Sequence, residues 1–272
     1  MSAHHPAERT RVLSVEGTRV RVCVRGTGRP LLLVMGIGAS LDLWEPLERA
    51  LAPLGYQLIS IDLPGAGGSP ALFPPRRMAG LARIAVAVLD ELGIDRADVL
   101  GLSFGGIVAQ EIARQAPTRV RRMILCATGP GLGGVPGRPS ALRHMMTPRR
   151  YQSKDYASRI AGELYGGRAR LEPSIHTSMK ARYIRPPSMY GYLTQIFAVT
   201  GWSSVPWLHR VRIPTLVMAG DDDPIIPLAN ARIMSCLLPD CRVHIVEGGG
   251  HLFLLDMTDD VVGVVDGFLT GT

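Results

Sequence analysis

The chain has 272 residues, 46% of them hydrophobic, and a formal net charge of +7, enough to bury a full core and better suited to one α/β domain with an insertion than to two independent domains. Four cysteines, Cys23, Cys126, Cys236 and Cys241, lack metal-ligand spacing, so reduced thiols and no metal are expected. No uncharged apolar stretch reaches membrane-spanning length and residues 1–10 contain no apolar h-region, so the expectation is an intracellular, cytoplasmic protein without a transmembrane segment.

In chain order, β-rich runs at 11–15 and 19–25 flank the tight Glu16-Gly17-Thr18 and predict an antiparallel hairpin at a sheet edge. A third run, 31–35, opens into Gly36-Ile37-Gly38 and a helical pattern at 43–52. Strand 57–61 runs into Asp62-Leu63-Pro64-Gly65-Ala66-Gly67-Gly68-Ser69, expected to shape a pocket floor, and helix 78–92 follows. Strand 98–102 and helix 104–115 enclose Gly101-Leu102-Ser103-Phe104-Gly105. Strand 122–126 ends this half, and 214–219, helix 228–238, strand 242–246 and helix 260–269 complete the chain. Eight strands alternating with helices predict an α/β fold with a mostly parallel sheet covered on both faces.

The alternation breaks after Thr128, where a glycine-rich exit leads into a segment without strand character. The predicted organisation is a core of 1–128 and 206–272 interrupted by a helical cap, 129–205. Residues 130–205 hold eleven Lys and Arg against three Asp and Glu, a net of +8, so the basic excess belongs to the insertion. Nine of the chain's fifteen aromatics fall in or beside it: Tyr151, Tyr156, Tyr165, Tyr183, Tyr190, Tyr192, Phe197, Trp202 and Trp207. Two readings stay open, an amphipathic surface for an apolar, interfacial partner or a small internal core with solvated arginines. The basic residues carry no nucleic-acid recognition motif, and nucleic acid is not an expected partner.

Ser103, on a strand-to-helix turn flanked by glycines, has the setting of a nucleophile elbow. A serine needs a base and a third group that fixes the base's tautomer. His251 follows Glu247-Gly248-Gly249-Gly250 after the last strand, at the sheet edge where Ser103 is expected. His4, His5, His144, His176, His209 and His244 fall on the tail, in or beside the insertion, or within a strand. The acid is expected from Gly220-Asp221-Asp222-Asp223-Pro224, with Asp223 chosen for its place nearest the following helix, Asp222 second, and the others capping that helix in water. Backbone N–H groups of Phe104 and Ile37 are the expected oxyanion donors. The order Ser103, Asp223, His251 is that of the α/β-hydrolase fold.

The elbow, together with Pro136-Gly137-Arg138-Pro139-Ser140, Pro148-Arg149-Arg150-Tyr151, Gly201-Trp202-Ser203-Ser204, Trp207-Leu208-His209-Arg210, the Asp-Asp-Asp-Pro loop and Gly250-His251-Leu252-Phe253-Leu254, resembles the intracellular medium-chain-length poly(3-hydroxyalkanoate) depolymerases. The resemblance implies Ser103, Asp223 and His251 as a triad, no cofactor, and a granule-stored polyester as substrate. Phe104 stands where that family commonly has Trp, Met35 where a polar residue is usual, and Gly248-Gly249 where an acidic pair precedes the histidine. Two alternatives remain at this stage: an esterase of small soluble acyl esters, and a non-catalytic ligand-binding protein on a hydrolase scaffold.

Overall fold

Consecutive strand residues point to opposite faces, and here both faces are apolar: Leu31 and Leu33 pack on one side of the sheet, Leu32 and Val34 on the other. A sheet of this kind must be covered twice. The computed structural model describes residues 9–173 and 185–271. His4, His5, His176 and Tyr183 lie outside the described residues.

The strands are β1 (Arg9–Val15), β2 (Thr18–Arg25), β3 (Arg29–Val34), β4 (Tyr56–Ile61), β5 (Ala97–Leu102), β6 (Val120–Cys126), β7 (Thr215–Gly220) and β8 (Cys241–Val246). They form one sheet in the order β1-β2-β4-β3-β5-β6-β7-β8. β1 and β2 are antiparallel, as is β2 with β4, and the remaining pairs are parallel. The hairpin turn is Glu16-Gly17 alone, both at positive φ, the geometry that matches strand twist in a two-residue loop.

Helices α1 (Glu45–Leu51), α2 (Met78–Glu91) and α3 (Phe104–Gln115) follow β3, β4 and β5. The predicted helix 43–52 is three pieces, with 3-10 turns Leu41–Trp44 and Ala52–Leu54 around α1. Pro46 and Pro53 sit in the first positions of their helices, where a missing N–H costs nothing and the chain can restart. Between β6 and β7 lie α4 (Pro139–Met145), α5 (Arg149–Gln152), α6 (Lys154–Tyr165), α7 (Arg168–Leu171) and α8 (Met189–Val199). The chain closes with α9 (Ala229–Leu237), α10 (Phe253–Asp256) and α11 (Thr258–Thr270).

One core layer joins α2, α3 and α9 to the sheet face of Leu32, Val34, Val99 and Val217. The other joins α1, α10 and α11 to Leu31, Leu33, Leu100 and Met218. Because β3, β5, β7 and β8 run in the same direction, the loops after them, at 35–38, 103, 221–223 and 247–251, gather at one edge. The chain order reverses between β3 and β5, the position where open α/β sheets form a crevice.

Candidate active site

Ser103 sits between β5 and α3 with φ +54° and ψ −116°, a conformation that costs a non-glycine residue about 1–3 kcal/mol and persists only when its surroundings enforce it. Here they do. Its N–H donates to Cys126 O at 2.8 Å, and its carbonyl accepts from Gly106 N at 2.9 Å and Thr128 Oγ1 at 2.8 Å. A side chain on Gly101 would strike the Gly105 carbonyl, and one on Gly105 the Val34 carbonyl. The glycines let α3 start directly against β3 and β5, which forces the turn.

His251 and Asp223 meet on the loops after β8 and β7. His251 Nδ1 lies 2.7 Å from Asp223 Oδ2, with the residues 4% and 7% exposed. A carboxylate only accepts, so Nδ1 carries the proton and Nε2 keeps its lone pair. The other oxygen, Oδ1, accepts from Ile225 N at 2.8 Å and Ile226 N at 2.9 Å, which fixes the carboxylate plane. Ser103 and His251 line the same cavity, whose apolar wall includes Met35, Leu43, Leu102, Met145, Ile225 and Leu255.

The neighbouring aspartates behave differently from one another. Asp221 is exposed. Asp222, expected to face water, instead pairs with Arg170 Nε at 2.7 Å and accepts from Gly167 N at 2.8 Å. The Arg170 hydrogen bond holds its carboxyl below the usual carboxylate range despite partial burial. Gly166 and Gly167 leave room for the acid and histidine loops to pack: any side chain there would strike Asp222 O or Gly250 N. The adjacent Tyr165 carbonyl accepts from His251 N at 2.6 Å. Two consecutive glycines ending an amphipathic helix are the sequence signal for this packing.

Neither Ile37 N–H nor Phe104 N–H donates to another protein group among the described residues. The peptide after Ile37 is held from both sides: Tyr151 Oη donates to Ile37 O at 2.6 Å, and Gly38 N donates to Gln195 Oε1 at 2.7 Å. Gln195 Nε2 in turn donates to Pro64 O at 3.0 Å. Gly38 has φ +70°, and a Cβ there would stand 2.8 Å from the Tyr192 ring and 2.9 Å from that of Tyr151.

One expectation needs correction. The 62–69 loop does not line the cavity. Its Asp62 is fully buried, accepting from Leu41 N at 2.6 Å and Gly68 N at 2.7 Å, and Gly65 packs on Gly191 of α8. The loop therefore braces the chain after β3. The Phe104 side chain is buried in the core layer with α2 and α3 and is not part of the cavity wall. The aromatics of the insertion divide between both open readings. Tyr165 packs with Ala141, Ile160 and Leu164 in a small local core, whereas Tyr190 and Phe197 are exposed on α8.

The alpha/beta hydrolase fold family matches residues 29–258. A poly(3-hydroxyalkanoate) depolymerase of Ectopseudomonas oleovorans is 40% identical over 263 residues, which cover 95% of this chain and 92% of the relative. A putative carbamate hydrolase of Azorhizobium caulinodans is 30% identical over 238 residues, 85% of this chain and 87% of the relative. The solved enol-lactonase from Burkholderia xenovorans superimposes with a TM-score of 0.82 at 22% identity, covering 96% of this chain and 100% of its own. That last likeness speaks for the fold alone. No helix among the described residues is long and apolar enough to cross a membrane.

Proposed function

The chain belongs to the alpha/beta hydrolase fold family, and from that premise we propose that it hydrolyses the ester bonds of a poly(3-hydroxyalkanoate) through an acyl-enzyme on Ser103. The observation that carries this reading is the convergence of a strained serine and a buried His251–Asp223 pair on one apolar cavity. The 40% identity to a poly(3-hydroxyalkanoate) depolymerase supports the choice of polyester.

In this mechanism His251 Nε2 takes the Ser103 proton as Oγ attacks the ester carbonyl, and Asp223 stabilises the imidazolium that forms. Ile37 and Phe104 N–H groups stabilise the oxyanion. The alcohol end of the cleaved chain leaves with the proton returned by His251. Water activated by the same imidazole then cleaves the acyl-enzyme and leaves a new carboxylic acid. Segment 129–205 acts as a cap: Met145, Arg150, Tyr151 and Tyr165 contribute to the cavity wall.

Association with storage granules belongs to the same proposal. The outer face of α8 exposes Met189, Tyr190, Leu193 and Phe197, a strip suited to an apolar polymer surface. The experiment for the activity is labelling by a fluorophosphonate probe together with hydrolysis of p-nitrophenyl octanoate. The expected result is labelling of the native protein at Ser103 and none in Ser103→Ala. A Ser103→Ala protein that still turns over the ester removes the proposed mechanism.

A further inference from the structure

Arg150, on α5, is 2% exposed and lines the same cavity as Ser103 and His251. A guanidinium stays charged at any pH at which a protein is folded, and a buried charge without an anion is costly. No carboxylate pairs with it among the described residues. Residues 174–184, which lie outside them, contain no Asp or Glu.

What surrounds Arg150 is neutral. Nη1 donates to Tyr192 Oη at 2.7 Å, and Nη2 to Tyr151 Oη at 3.2 Å, with longer contacts to the carbonyls of Ile37, Thr147 and His144 at 3.4, 3.4 and 3.5 Å. Both tyrosines spend their protons elsewhere, Tyr192 on Met145 O and Tyr151 on Ile37 O. Burial pushes the Tyr192 hydroxyl up to about 12 and raises that of Tyr165, so these groups supply oxygens and no negative charge at neutral pH. Nε has no acceptor and is enclosed. Asp223 is committed to His251 and to the Ile225 and Ile226 N–H groups, so no carboxylate of the cavity pairs with Arg150.

We infer that Arg150 is the binding site for a substrate carboxylate, so that the enzyme works from the carboxyl end of the polyester or of its oligomers. This rests on the Ser103 hydrolase reading, and it deepens it. Arg150 reaches the carbonyl of Ile37, the residue whose N–H is the proposed oxyanion donor, so a carboxylate held by it lies close to the scissile ester. In a 3-hydroxy acid ester, two carbons separate the ester oxygen from the acid carbon of the terminal unit. A carboxylate on Arg150 therefore places the last ester of the chain at Ser103. Cleavage releases one 3-hydroxy acid carrying that carboxylate, and hydrolysis of the acyl-enzyme generates the next terminal carboxylate for the following turnover.

The test uses the dimer of 3-hydroxyoctanoate as its free acid and as its methyl ester. The free acid is expected to have at least about a tenfold advantage in kcat/KM, carried by KM, since a charged hydrogen bond is of that order. In Arg150→Met the ratio falls to near one, and Arg150→Lys recovers part of it. A purely structural arginine lowers both substrates equally and leaves the ratio unchanged. Calorimetry on Ser103→Ala gives the answer without turnover or an arginine variant: 3-hydroxyoctanoate binds, and its methyl ester binds at least about tenfold more weakly. Equal cleavage of the two dimers by the native protein, or equal binding of the two monomers, overturns the inference. Failure to cleave either dimer counts against the hydrolase reading, and the calorimetry still decides the carboxylate site.

Discussion

Asp222 and Asp223 are chain neighbours with opposite tasks, and the backbone decides which does which. Asp223 is held by the N–H groups of Ile225 and Ile226 and points one oxygen at His251, whereas Asp222 turns to Arg170 and Gly167. Replacing Asp223 by Asn exchanges an acceptor for a donor at Nδ1 and favours the wrong tautomer, so kcat for p-nitrophenyl octanoate is predicted to fall by about 10⁴-fold. Asp222→Asn removes a partly exposed ion pair of small worth, and less than about a tenfold loss is predicted. Equal losses in steady-state assays contradict these assignments. Spacing alone left the two aspartates as alternatives, because the distinction lies in which carboxylate the Pro224 turn directs inward.

Two loops owe their shape to helices far away in the chain. The proposed oxyanion loop is clamped through Gly38 by Gln195 of α8 and through Ile37 by Tyr151 of α5. Gln195→Leu removes the acceptor for Gly38 N–H while keeping the volume. It is predicted to lower kcat by about tenfold or more with KM within about twofold, a fraction of what losing a direct oxyanion donor costs. A change confined to KM contradicts a positioning role. The acid loop is fastened to α7 by Arg170 and Asp222. Since Arg170 depresses the Asp222 pKa, the folded state holds this proton less tightly than the unfolded chain. The contribution is complete above the unfolded value of about 3.9 and is lost as pH falls through the lower folded value. The Tm difference between native protein and Asp222→Asn is therefore predicted to be constant from pH 7 to 5 and to shrink toward pH 3. A difference that grows with acidity contradicts it.

Across the whole molecule, the sheet was legible because β-branched and leucine runs bounded by Gly and Pro mark its strands, and all eight appear within a few residues of their expected positions. The Ser103, Asp223 and His251 loops were legible for the same reason, each following a strand whose direction fixes its edge. Helices α4, α5 and α7 were not, since each is only four to seven residues long and too brief to show a helical period. Nor were the Gly38–Gln195 and Ile37–Tyr151 bonds, which join residues 157 and 114 positions apart. The exposed strip on α8 gives a prediction at this scale: Leu193→Asp, on an outward position, reduces co-sedimentation with medium-chain polyester particles while hydrolysis of p-nitrophenyl octanoate continues. Unchanged co-sedimentation locates any granule contact elsewhere. The central claim is that Ser103 cleaves the polyester, and its most direct test is the release of 3-hydroxy acids from an amorphous medium-chain poly(3-hydroxyalkanoate) suspension. The native protein is predicted to release them, and Ser103→Ala, folded with a similar Tm, to release at least about 10⁴-fold less. Equal release by both proteins, or none by the native protein while it hydrolyses small esters, contradicts the account.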